Sequence, residues 1–323
     1  MIYTSITLAV VAVLLYFYHD LHLQQQVPKP KPKQQASATA ASSTSLVPFT
    51  LGDLKRKLFP EFHAKYRNFS FQFATSSNVN VSILQKYKEN NSGVGSAVWD
   101  GSMVLSHFLS KRAPVIFQKN GENRNADVIE IGAGQGLVSI TTSLILQKLN
   151  ISASVYLTDG DESCLLQAEH NLQRHNLSSS MNSMKFGVRT FTRLLRWGNS
   201  KDLDYFKDKT PSFVFAADVV FENEEKSNGT TNLLHEANHA FAALVQTFNS
   251  LITKEKSNIL LLAYKRRRRR EEKFFNLMRD NNFYKMIVKK RFILHHYRDI
   301  FEIYCFAKDM NSCTKSLGKM VRQ

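Results

Sequence analysis

The stretch from Asp127 to Leu137 constrains the fold of this chain most. An apolar run leads there into three glycines at alternate positions, Gly132, Gly134 and Gly136. Glycine tolerates positive φ and lets the backbone approach a ligand closely. The pattern predicts a buried strand, a tight turn and a helix whose amino end faces the ligand. Asp159 follows about one helix and one strand later, where a doubly wound fold places a ribose-binding carboxylate. These residues predict a nucleoside-containing cofactor.

Strands and helices alternate through the rest of the chain, which predicts an α/β fold with a mostly parallel sheet covered on both faces. The predicted strands are 127–131, 154–158, 184–188, 213–217, 259–263, 285–289 and 300–307. The predicted helices are 102–111, 137–149, 162–175, 233–252 and 271–281. Only residues 290–299 join the last two strands, too few for a helical crossover, so we expect an antiparallel final strand. Alternating apolar residues in 69–73 and 79–83 predict an earlier hairpin.

The first 19 residues carry an uncharged, mostly apolar run flanked by tyrosines, which predicts a transmembrane anchor. A cleaved signal peptide and an unstructured tail are the alternatives. Residues 20–45 form a Pro/Lys and Ala/Ser-rich linker, whose lysines would keep the rest of the chain in the cytosol. The division then expected is an N-terminal extension in 46–111, a catalytic core in 112–309 and a basic tail in 310–323. A soluble cytoplasmic or nuclear protein is the alternative.

The charge balance favours acidic partners. Lys and Arg total 43 against 27 for Asp and Glu, a formal net charge of +16. Such a balance suits nucleic acid, an anionic membrane surface or acidic proteins. The run Lys265–Arg270 follows the predicted strand 259–263, at the sheet edge where a ligand would bind, and this favours docking of an acidic protein. RNA, lipid, a nuclear signal or a merely solvated loop remain alternatives for this run.

The three cysteines, Cys164, Cys305 and Cys313, are widely spaced and odd in number. They predict neither a metal-ligand pair nor a disulfide framework. A reducing compartment is therefore expected. No metal site is predicted, because the adjacent His295 and His296 would point to opposite faces of a strand.

The glycine spacing G-x-G-x-G differs from the G-x-G-x-x-G of dehydrogenases and resembles motif I of the seven-β-strand S-adenosylmethionine-dependent methyltransferases. Five blocks occur in the order typical of the family-16 lysine methyltransferases, the group that modifies calmodulin, elongation factors and chaperones. The blocks are 95–100, 130–137, 157–159, 195–198 and 217–221. The resemblance covers roughly 79–307. It implies a Rossmann-like seven-stranded sheet with an antiparallel last strand.

The resemblance also implies roles for individual residues and S-adenosyl-L-methionine as cofactor. Asp218 and Phe221 would be catalytic, at the entrance for the substrate lysine, and Asp218 or Glu222 could hold the incoming ammonium. The family usually has Tyr or Phe at the position of Phe221. The cofactor would be bound by Trp99, Glu130, Gly132, Ala133, Gly134, Gly136, Asp159, Trp197 and Ala217.

The function that follows is methyl transfer from S-adenosyl-L-methionine to lysine side chains of a protein substrate, by a monomer. One alternative is a methyltransferase for another acceptor: a small molecule, histidine, arginine or nucleic acid, since one fold serves many acceptors. A non-catalytic scaffold that binds partners through a basic face is the other.

Overall fold

A central sheet of eight strands organises the part of the chain that the computed structural model describes, namely residues 66–73, 77–85, 94–119, 122–123, 126–179, 187–209, 211–220, 233–265 and 271–323. The hairpin of β1 (Tyr66–Phe73) and β2 (Ser77–Leu84) precedes helix α1 (Asp100–Phe117) and a short ladder of β3 (Gln118–Lys119) and β4 (Glu122–Asn123). The alternating part then runs through β5 (Val128–Ile131), α2 (Leu137–Lys148), β6 (Ala153–Asp159), α3 (Glu162–Arg174), β7 (Val188–Leu194), α4 (Ser200–Asp204), β8 (Phe213–Ala217), α5 (Leu233–Leu251), β9 (Ile259–Lys265), α6 (Glu272–Asp280), β10 (Tyr284–Val288), β11 (Phe301–Ala307), α7 (Met310–Leu317) and β12 (Val321–Arg322).

The strand order in the sheet is β12-β10-β11-β9-β8-β5-β6-β7. Strands β7, β6, β5, β8 and β9 are parallel neighbours, whereas β11 is antiparallel to both β9 and β10. The predicted antiparallel final core strand is therefore confirmed. The chain order reverses between β5 and β8, and such a reversal opens a crevice at the carboxyl ends of the strands.

The central strands are buried on both faces because each contributes alternate residues to two cores. Along β8, Phe213 and Phe215 belong to one core and Val214 and Ala216 to the other. The first core also contains residues of α1, α2, α3 and the hairpin, and the second contains residues of α5 and α6. Helices therefore cover both faces, as expected for a mostly parallel sheet.

The predicted third core strand was misplaced. The apolar residues of 184–188 predicted it there, but the strand observed is Val188–Leu194, and 180–186 lie outside the described residues. This strand is at the sheet edge and alternates with Arg and Thr, so its apolar signal is weak. Its buried Thr190 is satisfied by the Ser143 hydroxyl, 2.9 Å away.

The C-terminal residues fold onto the sheet and add its eighth strand. Helix α7 follows β11, and Val321 of β12 pairs with Val288 of β10. Cys305 of β11 and Cys313 of α7 are disulfide-bonded, with Cα atoms 6.1 Å apart. The expectation of no disulfide was therefore wrong, because the β11–α7 turn brings together two cysteines whose spacing gives no sequence signal.

Among the residues that the structure describes, no helix is both long and apolar enough to cross a membrane. The predicted anchor and linker, residues 1–45, lie outside that part of the chain, as do Phe221, Glu222 and Arg266–Arg270.

Candidate active site

The glycine turn after β5 adopts the backbone geometry that only glycine adopts without strain. Gly132, Gly134 and Gly136 have φ values of 65°, 53° and 87°. The turn is fixed to the neighbouring strand, since the Ala133 N–H donates to the Thr158 carbonyl at 2.9 Å. A side chain at any of the three glycines would be strained, and the turn therefore presents bare backbone at the carboxyl edge of the sheet.

A second glycine segment packs directly on this turn. A Cβ added to Gly134 would lie 3.0 Å from the Gly95 carbonyl oxygen. The Gln135 amide Nε2 donates to the same oxygen at 2.7 Å, and the Gln135 carbonyl accepts from Asn171 Nδ2 at 3.0 Å. Gln135 therefore ties the loop before α1 to the glycine turn and to α3.

Glu130 is a buried acid in the strand before the glycine turn. Its carboxylate accepts hydrogen bonds from the Ser139 N–H at 2.8 Å and from the Ser139 hydroxyl at 2.5 Å. Only 2% of the residue is exposed. Burial raises the pKa of this carboxyl to about 8, against the opposing effect of the two Ser139 bonds. The site therefore holds the proton of Glu130 at neutral pH unless a cation lies beside it.

Asp159 ends β6 with both carboxylate oxygens held by backbone donors. Oδ2 accepts from the Gly134 N–H at 2.8 Å and Oδ1 from the Asp161 N–H at 3.0 Å. Burial raises its pKa, and the two N–H donors oppose that effect. Asp161 caps α3 by accepting from the Ser163 N–H at 2.8 Å, so the helix does not require Asp159 as its cap. The remaining lone pairs of Asp159 can accept hydrogen bonds from a ligand.

Asp218 follows β8 and holds the start of α1. Its Oδ2 accepts from the Gly101 N–H at 2.6 Å, and its backbone has a φ of 56°. A Cβ on Gly101 would lie 2.5 Å from the same oxygen, so a side chain there would displace the carboxylate. Trp99, the residue before α1, is 39% exposed. The sequence did not predict the contact between Asp218 and α1.

These elements surround a cavity of about 600 Å³ at the carboxyl ends of β5, β6 and β8. Nine of the eleven predicted site residues line it: Trp99, Glu130, Gly132, Ala133, Gly134, Asp159, Trp197, Ala217 and Asp218. Gly136 does not. It is the N-cap residue of α2, and a Cβ there would lie 2.7 Å from Leu157 Cδ1, so it serves packing. Phe221 lies outside the described residues.

The cavity also has lining residues that the sequence analysis did not select: Gly95, Ala97, Val98, Ser102, Gln135, Leu137, Gly160, Asp161, Cys164, Arg196 and Val219. Several of these residues belong to the family-like sequence blocks, which could have identified them. Arg196 is one of them, and it pairs with Asp202 through Nε–Oδ2 and Nη2–Oδ1 contacts of 2.8 Å each. Cys164 belongs to no block, so no signal in the sequence pointed to it. Burial raises the pKa of its thiol to about 12, so it is a neutral wall at physiological pH.

The cavity and its lining suit S-adenosyl-L-methionine. The volume of the cavity is in the range of small-ligand pockets. Carboxylates at Glu130 and Asp159 match an amino group and sugar hydroxyls, and the bare glycine backbone permits close approach. Trp99, Trp197 and Val219 give apolar and aromatic walls for a purine and a cationic sulfonium. In the described part of the chain, no cluster of His, Cys, Asp and Glu side chains could hold a metal ion.

Comparison with known proteins agrees with the resemblance. A family model for lysine methyltransferases matches residues 78–281. The protein N-lysine methyltransferase METTL21A of Xenopus tropicalis is 30% identical over 220 residues, which cover 67% of this chain and 78% of that protein. The mouse protein-lysine methyltransferase METTL21E is 34% identical over 128 residues, 39% of this chain and 45% of that protein. A methyltransferase crystal structure from Pyrococcus furiosus has a TM-score of 0.40 at 14% identity, covering 71% of this chain and 90% of that one. The family match spans the glycine turn, Asp159 and Asp218, and the chain belongs to the lysine methyltransferase family.

Proposed function

We propose that this protein transfers the methyl group of S-adenosyl-L-methionine to the ε-amine of lysine in a protein substrate. The observation that carries the proposal is the cavity at the carboxyl edge of the sheet. It joins the glycine turn, the two acids Glu130 and Asp159, and Asp218 at the end of the next strand. Membership of the lysine methyltransferase family supports lysine as the acceptor.

On the cofactor side, the chain's own residues bind and orient. When bound, S-adenosyl-L-methionine supplies an electrophilic methyl group on its sulfonium. Glu130 would take the cationic amino group, which offsets the burial of its carboxylate. Asp159 would accept from the ribose hydroxyls while the Gly134 N–H keeps it in place. Trp197 lies 3.7 Å from the position of a Cβ on Gly132 and would pack near the adenine.

On the acceptor side, Asp218 would hold the incoming lysine ammonium at the cavity wall. One of its oxygens is fixed by the Gly101 N–H at 2.6 Å, so the carboxylate is oriented before substrate arrives. Methyl transfer needs a neutral amine, so one proton must pass from the ammonium to solvent water before the side chain enters the apolar slot. Trp99 and Val219 would exclude water there, and Phe221 would narrow the entrance, as the family motif implies.

The proposal is tested by isothermal calorimetry of the full chain with S-adenosylhomocysteine. We expect micromolar binding that is lost in Gly134→Arg, because that side chain would collide with the Gly95 carbonyl and fill the cavity. Gly318→Arg is the matched control, since Gly318 also has positive φ (55°) but has nothing within 4 Å of its Cβ position. Protein that folds but binds no cofactor, or that binds it equally in Gly134→Arg, would refute the proposal. Transfer of labelled methyl from S-adenosyl-L-methionine to lysine in a cell extract then tests the acceptor.

The proposal includes the substrate surface and the location of the protein. The run Lys265–Arg270 would bind an acidic protein, and residues 1–19 would anchor a cytosolic domain to a membrane. The support is the sequence: six consecutive cations in one case, and an uncharged apolar run followed by lysines in the other. Complete release of the protein by alkaline carbonate would contradict the anchor. The Cys305–Cys313 disulfide counts against a cytosolic location, because disulfides are uncommon there. If the location is correct, rapid alkylation in cells should find both cysteines reduced, and a bond that survives alkylation would contradict it.

A further inference from the structure

The loop of residues 289–300, here termed the basic loop, joins β10 to β11 at the same sheet edge as the cavity. Strand β10 is antiparallel to β11, which is antiparallel to β9, so β10 runs parallel to β9 and ends at the carboxyl edge. Phe301, the first residue of β11, pairs with Lys265, the last residue of β9. Both ends of the basic loop are therefore fixed beside the edge where Asp218 lies.

The basic loop is strongly cationic, and hydrogen-bonded turns and one buried side chain hold it against the protein. It contains four Lys or Arg residues, Lys289, Lys290, Arg291 and Arg298, and a single acid, Asp299, beside two histidines. Backbone bonds of 2.9–3.1 Å close turns at Phe292, Ile293, Tyr297 and Ile300. Ile293 is buried in the first core, and Arg298 Nε donates to its carbonyl at 3.1 Å. A platform of this kind binds a partner without the entropic cost of ordering itself.

The cations of the basic loop exceed what its own acid can satisfy. Asp299 is paired with Lys290 at 2.9 Å. Arg291 is exposed, and its guanidinium lies over the Phe292 ring at 4.9 Å, which fixes the side chain without neutralising its charge. A patch of excess Lys and Arg side chains at this edge of the sheet attracts carboxylates.

We propose that the basic loop docks an acidic segment of the protein substrate, close in sequence to the target lysine. The proposal rests on the proposed protein-lysine methyltransferase activity. In the sheet, β9 and β11 separate β8 from β10, so the basic loop lies on the order of 10–14 Å along the edge from the end of β8, where Asp218 is. An extended peptide covers that distance in about three to five residues. The substrate therefore carries carboxylates about three to five residues from the lysine that is methylated.

The test uses the full chain and fluorescein-labelled peptides of twelve residues with a single lysine. In one set, two glutamates lie three and four residues from the lysine on each side of it. In the other set, glutamines replace these glutamates. We expect Lys289→Gln/Arg291→Gln to weaken binding of the glutamate peptides about three- to tenfold at low salt. The matched control is Lys207→Gln/Lys254→Gln, which removes the same charge at the opposite edge, before β8 and β9, and should leave binding unchanged.

The outcomes separate this proposal from the activity on which it rests. Cofactor binding by calorimetry should be equal in all three proteins, because no residue of the basic loop lines the cavity. If the wild-type protein binds no cofactor, the proposed activity fails first. If cofactor binds, but glutamate peptides bind no better than glutamine peptides or both double variants lose the same affinity, the docking surface is refuted. Tighter binding of a dT12 oligonucleotide, lost in Lys289→Gln/Arg291→Gln, would assign the surface to nucleic acid instead.

Discussion

The buried acid Glu130 makes the stability of the ligand-free protein depend on pH in an unusual direction. Its pKa rises from an ordinary value of 4.5 to about 8 through burial. Below pH 4.5 the carboxyl is protonated in both folded and unfolded chains. Between pH 4.5 and 8 only the folded protein keeps the proton, so the free energy of unfolding falls as pH rises. The full difference corresponds to about 5 kcal/mol.

Replacing Glu130 with glutamine should remove this dependence. The amide is neutral at all pH values, and its oxygen can accept from both Ser139 donors as Glu130 does. The difference in unfolding free energy between Glu130→Gln and wild type should therefore grow by about 2–4 kcal/mol in favour of the variant from pH 5 to pH 8. The lower figure allows for relaxation of the site. The same change should weaken S-adenosylhomocysteine binding about ten- to hundredfold, through loss of a charged hydrogen bond.

Urea unfolding at pH 5 and pH 8, followed by tryptophan fluorescence, measures the first effect, and calorimetry measures the second. Asp161→Asn is the control, because hydrogen bonds to Ser163 lower the pKa of Asp161 and asparagine still caps α3. That change should not alter the pH dependence between pH 5 and 8. If Glu130→Gln and wild type lose the same stability from pH 5 to pH 8, the reasoning about the buried carboxyl is wrong.

Three further predictions concern the cavity walls. Gly101→Ala should lower the free energy of unfolding by about 1–3 kcal/mol by crowding Asp218, as measured by urea unfolding. Asp218→Asn keeps a hydrogen-bond acceptor for the Gly101 N–H, so cofactor affinity should persist. The value of kcat/KM for the lysine substrate should fall at least about tenfold, and an unchanged kcat/KM would remove Asp218 from the mechanism. Arg196→Ala should leave the melting temperature nearly unchanged, since the Arg196 side chain is 54% exposed and water screens its pair with Asp202. A clear fall in the melting temperature would show that this pair is structural.

Much of the fold was predictable because its determinants are local. The apolar run before Gly132, the positive-φ glycines and the alternation of strand and helix depend on residues close in sequence. The short link before β11 predicted the antiparallel strand in the same way. Prediction failed for β7, where an edge strand alternates apolar with polar residues and has no continuous apolar run.

The tertiary structure decided the contacts that complete the site. Asp218 meets Gly101 across 117 positions, Gly95 closes on Gly134, and Cys164 reaches the cavity wall from α3. These contacts depend on strand order and helix packing, which bring together residues that have no periodic relation in the sequence. The motif residues determined the chemistry the cavity offers, and the packing of α1 and the sheet determined its depth, the proton on Glu130 and the orientation of Asp218.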